Sequence, residues 1–390
     1  VDVRNIDIGR ASFTAKHCVI GTQITQFGAL EFESIRLQIG GLVEVSGVGP
    51  LIPNQYPLPD DGRAEIFSAK WNESSSQAWP VEDDTLKISY DYEAITASPF
   101  EFSVSPAAVV TVLGQPRSIT QWMSDYVHPL HRLLEFATAR AQPLRWIKFF
   151  NAHETAIGTI KPSAQYFGAD VIQEYEYSKR PPRDTLPLLY GGPNGMDLGA
   201  VLTRWRKIGE RYSVFFELFT TAFRGDLNPR AQYLVFVPSL ESFHAVKHGV
   251  SRRAPGIYKN ERTRYIAEVK SAGATKSTQS WLSRHLSYRD DHSLPERLRS
   301  LHASLPEEVR KVLEIDSSTL SPSVQQATTG DIWQTMAKVR NDVAHGGRIW
   351  SRDELAPLIR LSFALGAACM LDELGVSPAR LVTLARNLFD

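Results

Sequence analysis

The stretch "KRPPRDTLPLLYGGPNGMDLG", Lys179–Gly199, separates two halves of the 390-residue chain that differ in pattern. It holds four prolines and four glycines within 21 residues, a density typical of a linker. A chain of this length is expected to form more than one domain. We therefore predict one domain over residues 1–190 and a second over residues 191–390.

Upstream of this linker the sequence is rich in strand-like segments. Apolar and polar residues alternate, with many β-branched side chains, in "ALEFESIRLQIGGLVEVSG", "LKISYDYEA", "FEFSVSPAAVVTVLG" and "LRWIKFFNA". The segment "SITQWMSDYVHPLHRLLEFATAR" instead has its apolar residues near the helical period. The first domain is predicted to be mostly β with at least one helix.

Downstream of the linker the pattern becomes helical. The stretch "LGAVLTRWRKIGERYSVFFELFTTAF" carries one broad apolar stripe. A second helix, "DLNPRAQYLVFVPSLESFHAVKHG", is opened by Asn228-Pro229 and closed by Gly249. Further helices are predicted in "SPSVQQATTGDIWQTMAKVRNDVAHGG" and "SRDELAPLIRLSFALGAACMLDELG". The expected fold class is α+β, a mostly β N-terminal domain followed by an all-α bundle.

Composition restricts the location and the partners. The net charge is zero, which argues against a generic polyanion binder. Cys18 and Cys369 lie far apart, so a disulfide framework is not expected and a reducing cytoplasm fits best. The apolar run Leu361–Leu371 is too short to cross a bilayer. We expect a cytoplasmic protein with no membrane contact.

A basic segment over residues 245–289 is the main electrostatic feature. It contains ten basic and two acidic residues, a net charge of +8, with four aromatic residues interleaved. This combination suits a phosphate backbone with stacked bases. The candidate RNA-binding residues are Arg252, Arg253, Lys259, Arg262 and Arg264. The alternative is a solvated face that balances the acidic stretch 60–93, whose net charge is −6.

The predicted helix of the first domain contains residues of the types that bind metal ions. His128, His131 and Glu135 could share one stripe there. Pro129 disturbs the geometry and a fourth ligand is missing, so a structural role is favoured. We expect no metal and no cofactor.

The segment "MAKVRNDVAHGGRIW", Met336–Trp350, carries the candidate catalytic residues. Asn341 and His345 are four apart, within about 40° of one helix face, and Arg340 is about 140° from His345. The glycine pair stops the helix and leaves His345 in its last turn, where the helix dipole favours an imidazolium. An imidazole moves protons and a guanidinium binds phosphate. The alternative is a capped, solvated helix end.

This segment resembles the Arg-x4-6-His motif of the HEPN superfamily of small helical bundles. The wider layout is similar to the ApeA-like anti-phage HEPN family, in which a strand-rich N-terminal domain precedes a HEPN bundle. The segments "ITQWMSDYVHPLHRLLEFATAR" and "YLVFVPSLESFHAVKHG" add to the resemblance.

The resemblance implies a metal-independent endoribonuclease in anti-phage defence. It implies that His345 is the general acid or base and that Arg340 binds and stabilises the scissile phosphate. It also implies that Asn341 orients the histidine or contacts RNA. It further implies a homodimer through the HEPN domain, an RNA substrate such as tRNA, and a phage-derived trigger sensed by the N-terminal domain.

Two other readings compete with the ribonuclease. The first is a non-catalytic HEPN module that binds nucleotide or protein. The second is a ligand-binding β-domain protein that its helices only dimerise.

Overall fold

The structure is a computed structural model, which describes residues 2–7, 10–14, 17–21, 31–46, 51–54, 68–71, 76–98, 101–139, 141–151, 164–168, 197–222, 227–250, 256–285, 291–314, 320–326 and 330–389. Its internal contacts divide the chain into two compact units. Unit 1 comprises Val1–Glu210 with Phe223–Gly225, and unit 2 comprises Arg211–Ala222 with Asp226–Asp390. The predicted boundary near residue 190 lies outside the described residues.

Unit 1 is built on antiparallel strands. They are β1 (Asp2–Asp7), β2 (Arg10–Thr14), β3 (His17–Gly21), β4 (Glu31–Ile39), β5 (Leu51–Asn54), β6 (Ser68–Trp71), β7 (Gln77–Val81), β8 (Asp84–Ser98), β9 (Glu101–Ser118), β10 (Leu144–Phe150) and β11 (Ala164–Gly168). Seven of them form one sheet in the order β3-β11-β10-β4-β9-β8-β7. The pairs β1-β2 and β5-β6 form separate two-stranded sheets.

The alternation seen in the sequence places one face of this sheet in the core. Successive side chains of a strand point to opposite faces. In β8 the side chains of Leu86, Ile88 and Tyr90 are buried, while Lys87 between them is exposed. In β4, buried and half-exposed positions also alternate over most of the strand. The apolar half of each strand therefore forms the interior of unit 1.

Helices of unit 1 pack on this sheet. They are α1 (Leu42–Ser46), α2 (Ile119–Trp122), a π-helical turn (Met123–Val127), α3 (His128–Thr138) and α4 (Leu198–Arg211). The Trp122 indole donates a hydrogen bond to the Phe32 carbonyl at 2.9 Å, which ties the end of α2 to β4. The Phe136 and Trp205 rings lie 5.2 Å apart, so α4 contacts α3 within this unit.

One segment that was predicted to be strand-like is helical. Residues Leu42–Ser46 form α1 after the turn at Gly41, whose φ is 79°. Leu42 and Val45 are 1% and 0% exposed, and residues three apart share one face of a helix. The glycine pair thus ends β4, and burial of these two side chains favours a helical turn.

Unit 2 is helical throughout its described elements. They are α5 (Ser213–Thr221), α6 (Pro229–His248), α7 (Ile257–Ser271), α8 (Lys276–His285), α9 (Leu294–Ala303), α10 (Glu307–Leu313), α11 (Pro322–Gln326), α12 (Ile332–His345), α13 (Arg352–Glu373) and α14 (Pro378–Phe389). Together with the sheet of unit 1, these helices confirm the predicted α+β fold class.

Phenylalanines from α5, α6 and α13 fill the core of unit 2. The Phe215 and Phe219 rings stack at 4.8 Å, and Phe219 also stacks on Phe363 at 5.6 Å. At Gly366 a Cβ would lie 2.4 Å from the Phe219 ring, so only glycine allows α13 this close to α5. The core of unit 2 therefore requires a glycine at position 366 as well as the large phenylalanine side chains.

Helix boundaries differ from the sequence prediction at three places. The helix expected over 198–223 is divided at Tyr212 into α4 and α5. The helix expected over 321–347 is divided into α11, which ends at Gln326, and α12, which begins at Ile332. The helix α14 was not predicted.

Within the described residues, α13 is the helix long and apolar enough to span a membrane by length and composition. Its apolar window is 67% buried inside the fold. Such burial is that of a core helix, because a membrane span presents its apolar side chains to lipid.

Candidate active site

The helix α12 carries the candidate residues, and both of its ends are capped. The Asp331 side chain accepts a hydrogen bond from the Gln334 amide at 3.0 Å at the N-terminus. Gly346 adopts a φ of 70° at the C-terminus, and the amides of Gly346 and Gly347 both donate to the Asp342 carbonyl. A left-handed residue at this position is most favourable as glycine. The glycine pair therefore ends the helix one residue after His345, as predicted.

The buried face of α12 fixes the direction of its last turn. Trp333, Met336 and Val339 are buried in unit 2. The Tyr233 hydroxyl of α6 donates a hydrogen bond to the Met336 carbonyl at 2.8 Å, and burial raises the pKa of this hydroxyl. Because α6 and α12 are joined in the core, the polar groups at the end of α12 stand on a rigid base.

His345 and Asn341 are both exposed to solvent, as the prediction required. Among the described residues, neither a hydrogen bond nor an ion pair engages the His345 imidazole. The imidazole is thus free to bind a ligand or to transfer a proton.

Arg340 is held by neighbouring side chains. Its Nη1 donates a hydrogen bond to the Asn341 Oδ1 at 3.1 Å, and its Nη2 lies 3.7 Å from the Glu241 Oε2 of α6. Its Nε is buried without a hydrogen-bond partner. The sequence suggested that Asn341 orients His345 or contacts RNA, whereas its contact in the structure is with Arg340. Glu241 was not predicted, although it is the one acidic residue in the sequence of α6.

Arg348, on the other side of His345, is engaged far more completely. Its Nη2 lies 3.1 Å from the Glu354 Oε1, and its guanidinium lies 4.0 Å from the centre of the Trp350 ring. A hydrogen bond from the Ser323 hydroxyl, then the amide of Ser351, lowers the pKa of Glu354 to about 2. Arg340 therefore makes the longer ion-pair contact of the two arginines, although the Arg348 side chain is the more exposed, 39% against 31%.

The three predicted RNA-binding residues that the structure describes are not gathered on one face of α7. Arg252 and Arg253 lie outside the described residues. On α7, Lys259 is exposed, Arg262 is 8% exposed, and Arg264 pairs with Glu268 at 3.5 Å. Lys259 and Arg264 are five residues apart, about 140° around the helix. The aromatic side chains of Tyr265 and Trp281 are 51% and 54% exposed.

Two groups of histidines lie elsewhere. In unit 1 the His131 Nε2 lies 2.6 Å from the Gln142 carbonyl oxygen and 3.8 Å from the Glu135 carboxylate, so it makes local structural contacts. In unit 2 the His244 ring lies 5.0 Å from the His248 ring and 5.4 Å from the His292 ring. In the part of the chain that the structure describes, no set of three ligating side chains is arranged to hold a metal ion.

Comparisons with known protein families match most of the chain. The model of the ApeA N-terminal domain 1 matches residues 3–205. The model of the Apea-like HEPN domain matches residues 234–380, which include Arg340, Asn341 and His345. No curated protein and no solved structure matches the chain. The resemblance predicted from the sequence is confirmed.

Proposed function

The chain belongs to the ApeA-like HEPN family, and on that basis we propose that it is a metal-independent endoribonuclease of anti-phage defence. The observation that carries the proposal is the end of α12. An exposed imidazole stands there one residue before a glycine stop, on the same helix as a guanidinium that Asn341 holds. These two groups supply what phosphodiester cleavage in RNA requires.

The proposed reaction forms one bond to phosphorus, breaks another and moves two protons. The ribose 2′-hydroxyl attacks the adjacent phosphorus and forms a 2′,3′-cyclic phosphate, while the bond from phosphorus to the 5′-oxygen breaks. The proton of the 2′-hydroxyl passes to a base, and the leaving oxygen takes a proton from an acid. His345 acts as the base or the acid, and Arg340 stabilises the charge that develops on the phosphate oxygens.

The protein acts as a homodimer in this proposal. One helix end supplies one imidazole, whereas the two proton transfers are served best by two groups at once. A second copy of α12 brings the second imidazole and the second guanidinium to the same phosphodiester. The RNA is a structured molecule such as tRNA, the site of action is the cytoplasm, and the N-terminal domain senses a phage-derived trigger.

Cleavage of RNA by purified protein tests the enzyme. We expect His345→Ala and Arg340→Ala each to reduce cleavage by about 10²–10³-fold, because each removes a group that acts in the transition state. The matched control is Arg360→Ala, since Arg360 is an exposed arginine on α13 and its loss changes the net charge equally. If the wild type and the His345→Ala variant cleave alike, or neither cleaves, the protein is a binding module instead.

Mixing the two inactive variants tests the dimer. A heterodimer of His345→Ala and Arg340→Ala subunits keeps one imidazole and one guanidinium on different chains. We expect the mixture to recover part of the cleavage that each variant lacks, and light scattering to give the mass of two chains. A monomeric mass, or a mixture as inactive as its parts, contradicts the shared site.

The defence role has its own measurement. Cells that express the wild type should show a reduced efficiency of phage plating and a growth arrest on infection, and the Arg340→Ala variant should relieve both. Protection that persists with Arg340→Ala separates defence from RNA cleavage.

A further inference from the structure

Glu241 places a carboxylate beside the guanidinium expected to bind phosphate. Its Oε2 lies 3.7 Å from the Arg340 Nη2, and the two side chains are 25% and 31% exposed. Glu241 lies on α6 and Arg340 lies on α12, 99 positions further along the chain. The contact is therefore tertiary and depends on how the two helices pack.

Two contacts fix the plane of the guanidinium. Asn341 Oδ1 accepts from Nη1 at 3.1 Å on one side, and Glu241 lies near Nη2 on the other. An arginine has five N–H groups in one planar fork, and four of them are on Nη1 and Nη2. Asn341 uses one hydrogen of Nη1, and Glu241 at 3.7 Å makes no hydrogen bond with Nη2, so hydrogens of both nitrogens remain for a bidentate phosphate.

The two helices that carry Glu241 and Arg340 are joined to each other in the core. The hydrogen bond from Tyr233 to the Met336 carbonyl joins α6 to α12 inside the core, and both residues are 0% exposed. Tyr233 precedes Glu241 by eight residues on α6, and Met336 precedes Arg340 by four on α12. Glu241 is therefore presented to Arg340 by two helices in a fixed relation.

The distance between Glu241 and Arg340 shows whether the carboxylate orients the guanidinium or occupies its hydrogen-bond donors. A charge-assisted hydrogen bond that captures a guanidinium is about 2.7–2.9 Å long. At 3.7 Å, Glu241 attracts the Arg340 side chain without occupying its donors fully. Arg117 of unit 1 shows the captured state, since its Nη2 lies 2.7 Å from the Asp84 carboxylate.

We propose that Glu241 is a positioning residue for RNA cleavage, which holds the Arg340 guanidinium in the plane that binds the scissile phosphate. It acts through Arg340 and does not touch the reacting atoms. This inference rests on the proposed ribonuclease function and adds to it a residue from a different helix.

Steady-state cleavage kinetics of Glu241→Ala and Glu241→Gln test the proposal. We expect Glu241→Ala to lower kcat about tenfold or more with little change in KM, because a misplaced catalytic group costs rate rather than affinity. Glu241→Gln keeps the size but removes the charge that attracts Arg340 across 3.7 Å, so it should be slowed as Glu241→Ala is. The matched control is Glu217→Ala, since Glu217 is exposed on α5 and its loss changes the net charge equally. A Glu241→Ala variant as fast as the wild type or faster, or a Glu241→Gln variant as fast as the wild type, overturns the proposal.

A double substitution separates positioning from a general structural effect. In the Arg340→Ala background, Glu241→Ala should slow cleavage no further, because the group that Glu241 positions is absent. Multiplicative losses would show that Glu241 acts independently of Arg340 and would overturn the proposal.

Urea unfolding of the wild type, Glu241→Ala, Arg340→Ala and the double variant gives a readout that needs no RNA. We expect Glu241 and Arg340 to be coupled by about a factor of two in the folding equilibrium. If Glu241 and Arg340 are coupled in folding but neither the wild type nor any variant cleaves RNA, the contact is supported and the ribonuclease function is refuted. Cleavage that requires Arg340 but ignores Glu241 leaves the function intact while this inference fails.

Discussion

Each unit contains a polar cluster in which a carboxylate lies near an arginine, and the two clusters differ in exposure and in the length of this contact. In unit 1 the Asp84 side chain is 1% exposed and receives Arg117 at 2.7 Å and the Tyr126 hydroxyl on the same oxygen. In unit 2 the pair of Glu241 and Arg340 is a quarter to a third exposed, and its atoms are 3.7 Å apart. The first contact is short and its carboxylate is buried, whereas the second is long and both of its side chains are partly exposed.

This difference separates a structural polar cluster from a functional one. Burial and the hydrogen bond to Asp84 raise the pKa of Tyr126, so that hydroxyl stays a donor to the carboxylate. Arg117 also lies 4.9 Å from the centre of the Trp122 ring, which encloses it further. Tyr126 is 1% exposed, so a ligand could not reach its hydroxyl without disrupting the core. At the end of α12 the solvent already reaches the imidazole and the guanidinium.

The largest effect is expected from Asp84→Ala. It removes the acceptor of the buried Tyr126 hydroxyl and of the partly buried Arg117 guanidinium, and breaking a buried ion pair costs about 3–5 kcal/mol. The free energy of unfolding in urea measures this loss. The neighbouring Asp83→Ala is the matched control, because Asp83 is exposed and should change stability by less than about 0.5 kcal/mol. If the two substitutions cost the same, the cluster of unit 1 does not hold its fold.

His244 provides an intermediate case, a buried polar side chain in unit 2 without partners. It is 0% exposed, and both ring nitrogens lack a hydrogen bond. Burial, with the charges of His248, His292 and Arg297, lowers its pKa to about 4 from 6.5. Between these values the unfolded chain binds the proton and the folded chain does not, so stability is complete above pH 6.5 and is lost as the pH falls towards 4.

The loss is at most about 3.5 kcal/mol, since one unit of pKa corresponds to about 1.4 kcal/mol. Burial also lowers the pKa of His248 and His302, and these shifts act in the same direction. Urea unfolding from pH 7 to pH 4 measures the slope, and His244→Leu should flatten it. An unchanged slope in that variant assigns the acid sensitivity to other groups.

Local signals were sufficient where the sequence predicted the structure well. Asn228 caps α6 and Gly249 ends it, as their neighbours in the sequence indicated. Gly346 likewise ends α12 and leaves His345 exposed. Caps and stops act within a few residues, so a single sequence contains them.

Tertiary contacts were not visible from the same sequence. The strand order β3-β11-β10-β4-β9-β8-β7 joins segments far apart in the chain, and alternation alone does not choose partners. Glu241 meets Arg340 only because α6 packs on α12. Arg262 is a basic residue in a basic segment, yet it is buried. Charge patterns give the number of charges on a helix but not the side that faces the core.

A moderate effect is expected from Gly346→Ala. The φ of 70° is strained for a residue with a Cβ, and the cost is about 1 kcal/mol. Gly346→Asn should lose less, because asparagine tolerates this conformation. Gly347→Ala is the matched control, since its Cβ would lie no closer than 3.2 Å to Asp342. Urea unfolding ranks the three, and equal losses at both glycines would show that the left-handed turn is not what ends α12.

The smallest effect on stability is expected from Arg340→Ala, and it gives the sharpest form of the comparison. The pair with Glu241 is loose and partly exposed, and such pairs contribute about 0.5 kcal/mol. The same substitution at Arg117 leaves Asp84 buried without its cation and should cost several times more. Urea unfolding and RNA cleavage of both variants measure what each arginine contributes to stability and to activity. Arg340→Ala should lose cleavage and keep stability, because a residue whose donors are kept free for a ligand adds little to the fold. A large loss of stability at Arg340 with cleavage intact would make its contact with Glu241 another structural pair, like that of Asp84 and Arg117.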